Sequence, residues 1–459
     1  MRIDVERIFN AALDLLEDPG VRMEHDQLCD LLLSNGAMMG NGPNVIKFPR
    51  QLVKEKIALC PSTVHFADRF NKGKPVTPEA MEPVIWSVPG LNIYEHGKIR
   101  PLVSSDLPRW ARLLHRLENV DGIFSYAMED VPAKASDVVG LNLIAQNSTK
   151  HIRVLCSSPE SADVMVRMKH VVGDYPWFSI GFTAHGPLRW TRLALDIFRR
   201  TAGSNIPITI NGEPMAGVSG PVTLAGSSAV GTAEILAGVV LNQILEPGRP
   251  CIFNLGLAHV LDMRYATAVT GGPENALYAA AAAQLGRYLS IPSGSWVSTE
   301  SMMPDSQASL EKMFGYATHL QQHSSLIWSV GQLESEMTVS PAQAVLDDEM
   351  ITYAKRYMRS MEVNDESLAV DVIREVGIAG SFLEHDHTLD HYRSEFFEPK
   401  VLFRKRRMDW EEAGSPSAAE TAERMADKLA DEPAVHGLTE EQIKELDTLT
   451  DNFVKGVKD

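Results

Sequence analysis

Acidic and imidazole side chains gather on a few glycine-bearing segments in the middle of the chain. His185, Glu213, His259, Asp262, Arg264, Glu300, Glu334 and Glu336 fall within residues 183–190, 211–223, 255–264, 298–305 and 330–337. Such groups can act as general acids and bases or as counter-ions to a cation. Phe182, Trp190 and Trp296 lie on or beside the same segments, and aromatic faces next to carboxylates can hold a quaternary ammonium by cation–π contact. A lone tryptophan is more often core than cage, so only the combination with carboxylates points to a cation. The segment opening with Asn211-Gly-Glu-Pro-Met215 carries Gly212, Gly217 and Gly220 together with Pro214 and Pro221. A backbone of that composition turns sharply and lets another group approach closely; plain loop geometry explains it equally well. Its glycines follow neither the dinucleotide nor the P-loop spacing. His385, His387 and His391 are potential zinc or iron donors in a spacing that matches no strong metal motif, and a polar turn at a helix start accounts for them better, so no metal is assigned.

These segments need a frame that brings them to one place. From residue 122 onward short β-prone runs recur at 123–125, 152–155, 177–182, 206–210, 251–254, 295–297 and 326–329, each separated from the next by a helical stretch. The clearest helices are expected at 233–245, 273–289 and 310–322. Strands alternating with helices predict a parallel sheet covered on both faces. Seven units are countable and the eighth has no assigned position; number and length favour a TIM-like (β/α)8 barrel over an open sheet. In such a barrel the loops after the strands form the working site, and every loop named above follows an expected strand.

Residues 1–120 read as an N-terminal helical preface with a strand and hairpin segment near 84–103, residues 121–410 as the barrel, and residues 411–459 as a C-terminal helical tail. The preface shows apolar residues Ile8, Ala11, Ala12, Leu15 and Leu16 at helical spacing, stopped by Pro19-Gly20. A formal charge of −17 works against broad attraction to nucleic acid or to an anionic membrane surface. Hydrophobic residues at 44% are enough for a large core, and no run approaches 18 uninterrupted apolar residues. Four widely spaced cysteines, Cys29, Cys60, Cys156 and Cys251, fit reduced thiols in a cytoplasmic protein.

The segment Asn211-Gly-Glu-Pro-Met-Ala-Gly-Val-Ser-Gly-Pro-Val-Thr-Leu-Ala-Gly226, followed by Ala233-Glu-Ile-Leu-Ala-Gly-Val-Val-Leu241, resembles the trimethylamine methyltransferase superfamily. Asp262-Met-Arg264, Gly272-Pro-Glu274, Ala280-Ala-Ala-Ala-Gln-Leu285, Pro304-Asp-Ser-Gln-Ala308, Leu333-Glu-Ser335, Asp347-Asp-Glu349 and Phe382-Leu-Glu-His-Asp-His-Thr-Leu389 extend the resemblance in family order. It covers most of the chain between about residues 80 and 410.

The resemblance implies an enzyme that moves a methyl group from a methylamine to the cobalt of a corrinoid, a cobalamin-type group carried by a partner protein or supplied free. The archaeal trimethylamine enzymes carry pyrrolysine near the stretch corresponding to Leu333-Glu-Ser-Glu-Met337, where this sequence has ordinary residues. The chain is therefore similar to the branch without pyrrolysine, whose recognised members demethylate quaternary amines such as glycine betaine, proline betaine or carnitine. Glu213 and His185 are the expected catalytic residues. Phe182, Trp190, Arg264, Trp296, Glu300 and Glu336 are the expected substrate contacts, with Arg264 or His185 as donor to a substrate carboxylate. A homo-oligomer is expected from the resemblance. A metal-dependent barrel lyase or hydrolase, and a quaternary-amine binding protein without turnover, are the competing readings.

Overall fold

The computed structural model describes residues 2–458. Eight parallel strands close into a barrel: β1 (Val84–Ser87), β2 (Gly122–Phe124), β3 (His151–Val154), β4 (Phe178–Thr183), β5 (Ile208–Asn211), β6 (Cys251–Gly256), β7 (Ser293–Trp296) and β8 (Leu326–Val330). A helix follows each strand: α1 (Asp106–Arg116), α2 (Ser136–Ala145), α3 (Pro159–Val172), α4 (Arg192–Thr201), α5 (Leu224–Leu245), α6 (Pro273–Leu289), α7 (Ser306–Gln321) and α8 (Pro341–Met358). Several helices start on residues that satisfy otherwise orphaned backbone N–H groups. Ser158, Asp305 and Ser340 cap α3, α7 and α8 through their side chains, and proline opens α3, α6 and α8.

The eighth strand is β1, which pairs with β8 on one side and, through Trp86 and Gly122, with β2 on the other. The boundary expected at 120/121 thus runs between the first and second barrel strands; the first strand–helix unit belongs to the barrel, not to the preface. At its other end the barrel proper is complete with α8. Residues 361–410, assigned to the barrel from sequence, instead run outside it through the short helices Asp365–Leu368, Val370–Val376, Asp386–Glu395 and Arg407–Glu412, none of which buries a side chain, while Val401 between the last two is buried.

Helix α5 is long and apolar enough to cross a membrane, but 83% of its apolar window is buried inside the fold. It packs against the N-terminal helices Val5–Glu17 and Arg50–Ile57 and against β5 and β6. The tail helices Ala418–Ala430 and Glu440–Lys458 lie on the barrel's outer layer, the first over α8 and α1, the second over α3 and α2.

Small secondary sheets fix the loops at the C-terminal ends of the strands. Arg189–Trp190, after β4, pairs with the N-terminal strand Val21–Met23. Met215–Ala216, after β5, pairs with His259–Asp262, after β6, which in turn pairs with Thr267–Val269. Gln332–Leu333 and Thr338–Val339, after β8, join the hairpin of Asn92–Glu95 and Lys98–Pro101 that follows β1. A loop anchored on both sides by ladder hydrogen bonds presents its tip in one position, so these loops are braces for a site rather than free connections.

Candidate active site

The glycines of the 211–223 segment have a packing reason. A Cβ on Gly212 would come within 2.6 Å of the Gly231 carbonyl oxygen, so only glycine lets the end of β5 lie directly on α5. Gly217, at φ +94°, occupies the left-handed region that a side chain disfavours. This close approach delivers Glu213 to the barrel mouth.

There a cavity of about 270 Å³ opens among the ends of β2, β3, β4, β5 and β8. Phe124, Phe182 and Trp328 supply aromatic walls; Arg153, Asn211, Glu213 and Glu336 supply polar groups; His185 stands at the rim. Phe182 is stacked on Phe198 with ring centres 4.0 Å apart, and Phe124 meets Trp328 edge-on at 4.9 Å. Asn211 donates to the Thr183 hydroxyl at 3.0 Å and accepts from the Asn254 amide at 3.1 Å, tying the ends of β4, β5 and β6 together.

The acids of this region titrate far above the ordinary carboxylate range. Burial pushes Glu213 up to about 7. Burial, followed by repulsion from Glu213, pushes Glu336 up to about 8. Glu234, inside α5, is raised to about 7 mainly by burial, although it accepts the Leu188 N–H at 2.8 Å. Closely set carboxylates in a small cavity resist ionising until a cation joins them.

Glu336 sits on a loop whose backbone is held in an unfavourable form. Glu334, Ser335 and Glu336 have φ of 53°, 49° and 83°, three successive non-glycine residues in the left-handed region. The conformation is enforced from outside: Glu334 and Ser335 donate their N–H groups to the Ser301 and Thr299 carbonyls at 2.9 Å each. Below the loop the fully buried Lys312 donates to the Ser329 and Gln332 carbonyls, at 2.8 and 3.2 Å, and to Asp347 at 2.5 Å, while Gly331 N–H donates to the same carboxylate at 2.7 Å.

Of the residues expected from sequence, Phe182, His185, Glu213 and Glu336 line this cavity together. Four others stand elsewhere. Trp190 is fully buried behind the wall, its indole N–H donating to the Glu234 carbonyl at 3.1 Å. Trp296 ends β7 beside Trp328 in register and is buried away from the cavity. Arg264 is exposed at the tip of the 259–269 hairpin, in a turn where Asp262 accepts its backbone N–H at 2.7 Å. Glu300 spends its carboxylate on bracing, accepting from Thr270 N–H at 2.6 Å, Gly271 N–H at 2.9 Å, the Thr270 hydroxyl and the Ser335 hydroxyl. Trp190, Trp296 and Glu300 therefore hold the wall rather than face its contents, and Arg264 stands in solvent. Among the polar loop residues, Glu334 accepts from the Thr338 hydroxyl at 2.6 Å and His259 is buried beside the Leu257 carbonyl. His385 caps the outer helix Asp386–Glu395, accepting the His387 N–H, and among the described residues no three His, Cys, Asp or Glu side chains converge as a metal-binding group.

Sequence reading missed Phe124, Arg153 and Trp328. Arg153 did leave a signal: a guanidinium in His151-Ile-Arg-Val154, a strand otherwise suited to burial, contradicts the apolar pattern of a parallel barrel strand and marks a functional exception.

A closed parallel barrel with acids and aromatics converging on a small cavity at its strand C-termini is the layout of a barrel enzyme. The chain belongs to the trimethylamine methyltransferase (MTTB) family, whose profile matches residues 3–453, and is a methyltransferase of that family. It is 28% identical to trimethylamine methyltransferase MttB of Desulfitobacterium hafniense, over 90% of this chain and 86% of that protein. It is 28% identical to the MttB of Methanosarcina barkeri, over 99% and 95%. It is 27% identical to a glycine betaine methyltransferase of Desulfitobacterium hafniense, over 88% and 87%. In fold it is similar to the crystal structure of the Methanosarcina barkeri monomethylamine methyltransferase, with a TM-score of 0.56 and 12% identity over 94% of this chain and 87% of that one.

Proposed function

We propose that this enzyme transfers a methyl group from a quaternary ammonium compound, glycine betaine first among them, to the Co(I) centre of a corrinoid carried by a partner protein. The observation that carries the reading is the convergence of Glu213 and Glu336, two acids raised by burial, with the ring of Phe182 in one small, aromatic-lined cavity at the barrel mouth. A quaternary nitrogen has no N–H to donate, so it is held by charge and by ring faces. Bound there, it favours the ionised acids.

The chemistry asks little more of the protein than orientation. The Co(I) electron pair attacks a methyl carbon, the C–N bond breaks, and its electrons stay on nitrogen. The products are methyl-Co(III) and a neutral tertiary amine, with no proton transferred. Trimethylamine is a different problem, because its unprotonated form would have to expel a dimethylamide anion, so its nitrogen needs a fourth substituent, a proton or another bond, before the C–N bond can break. The ordinary residues at 333–337 support a donor already quaternary.

The test is Co(I) cobalamin with glycine betaine, proline betaine, carnitine or trimethylamine, followed by methylcobalamin absorbance and by mass analysis of the amine. Methyl transfer from a quaternary member and not from trimethylamine is expected. Glu213→Gln should lower kcat/KM by roughly 10- to 100-fold, the loss expected for one partly desolvated charge contact. No turnover of any quaternary compound would overturn the reading.

A further inference from the structure

The cavity wall holds one cation of its own that the methyl-transfer reading does not use. Arg153, on β3, is 2% exposed and lines the cavity. Its Nη1 donates to the Val154 carbonyl and its Nη2 to the Thr209 hydroxyl at 3.2 Å, while its Nε–H has no partner. No carboxylate among the described residues makes an ion pair with it; Asp137, the acid of its neighbourhood, accepts instead from the Ser157 N–H and hydroxyl, at 2.5 and 2.6 Å. Burial lowers Arg153 to about 9, which leaves it charged at neutral pH. An unpaired buried guanidinium is costly, so it persists where something else completes it.

The barrel makes room for this group. A Cβ on Gly181, on the neighbouring strand β4, would fall 1.6 Å from Arg153 Nη2 and 2.5 Å from the Thr209 hydroxyl. That first contact is too close for any side chain to coexist with the guanidinium where it stands. Two ring faces then frame it, with Cζ at 5.3 Å from the Phe124 centre and 5.5 Å from that of Trp328. These faces already serve a cation of the protein. The substrate ammonium is therefore left to Glu213, Glu336 and Phe182 on the remaining wall.

We propose that Arg153 is the receptor for a carboxylate at the end of the substrate remote from its methylated nitrogen, so that the substrate class is the betaine-type zwitterion. The placement of the ammonium rests on the methyl-transfer reading; the carboxylate seat rests on Arg153, Thr209 and Gly181. It takes the role expected of Arg264 or His185. A purely cationic amine would leave the guanidinium unpaired and bind less tightly.

Calorimetric titration of the full chain separates the two ideas. The probes are glycine betaine, choline, which keeps the ammonium and lacks the carboxylate, and 3,3-dimethylbutanoate, which keeps the shape and carboxylate and lacks the ammonium. Wild-type protein should bind betaine at least roughly 10-fold more tightly than choline. Arg153→Gln should lose roughly 10- to 100-fold in betaine affinity and abolish dimethylbutanoate binding while leaving choline affinity unchanged. Arg153→Lys should recover part of the loss, and Gly181→Ala should reproduce it with an unaltered Arg153. Equal losses for betaine and choline in the folded Arg153→Gln protein would mean a structural role and overturn the assignment. So would wild-type protein that binds neither carboxylate compound. Carboxylate-dependent binding without methylation of Co(I) cobalamin would keep Arg153 as receptor and remove the methyl-transfer reading. Turnover of betaine by Arg153→Gln at unchanged KM would do the opposite.

Discussion

Glu213 and Glu336 link the chemistry of the site to the stability of the fold. Their carboxyls titrate at about 7 and 8, against an ordinary value of 4.5, chiefly because burial disfavours the charged form. For a group raised on folding, the protonated form is the one the native state prefers. Its stabilising contribution is complete below the unfolded value and is lost as pH rises through the folded one. The ligand-free protein should therefore lose thermal stability between about pH 4.5 and 8 from these two acids. A bound quaternary cation pulls both values down, so it should flatten that slope and release protons near neutral pH. Melting curves at pH 5, 6, 7 and 8 with and without betaine test this, and Glu213→Gln combined with Glu336→Gln should flatten the ligand-free curve. Parallel curves with and without betaine would show that the acids do not face the ligand.

At the scale of elements, the loop after β8 depends on a buried ion pair one layer beneath it. Lys312 of α7 and Asp347 of α8, both fully buried, meet at 2.5 Å and share hydrogen bonds with Ser329, Gly331 and Gln332. Removing one partner leaves the other charged and alone, which costs about 3–5 kcal/mol. Lys312→Met should lower the melting temperature sharply and weaken betaine binding through displacement of Glu336. Replacing both, Lys312→Met with Asp347→Leu, should restore most of the stability, since an apolar pair of similar volume is close to neutral. The readout that separates positioning from stability is KM: if the stable double variant still binds poorly, the pair orients the loop.

Across the whole molecule, the terminal segments clothe a barrel whose outer helices would otherwise expose apolar faces. Leu446 and Leu449 of the last helix are buried on α2 and α3, and Arg112 and Arg116 of α1 donate to the Ala430 carbonyl and to Glu432 at 2.8 and 2.5 Å. Leu446→Ala should cost about 2–5 kcal/mol, seen as a lower melting temperature, with betaine KM changed less than about twofold. A large change in KM would show that the tail communicates with the site.

The sequence alone determined whatever is written locally. Alternating runs fixed seven of the eight barrel strands because strand and helix periodicities are properties of neighbouring residues. The glycine-rich segment and the acids after β5 and β8 were legible for the same reason: a loop's position after a strand decides which end of a parallel barrel it occupies. What only the tertiary structure decided depends on contacts between distant parts of the chain. Val84–Ser87, legible as part of a strand and hairpin segment, becomes a barrel strand only when it meets β8 and β2, because the hairpin at residues 92–101 separates it from α1 and masks the strand–helix unit. Trp190 and Trp296 turn inward to packing, and Arg264 outward to solvent, because strand twist and the small braces set each direction. Glu300 looked like a ligand contact and is a brace, since its partners Thr270 and Ser335 come from two other loops. Arg153 is the converse: an anomaly in its own strand, it became a site only when Gly181 and Thr209 of adjacent strands were seen to leave it space.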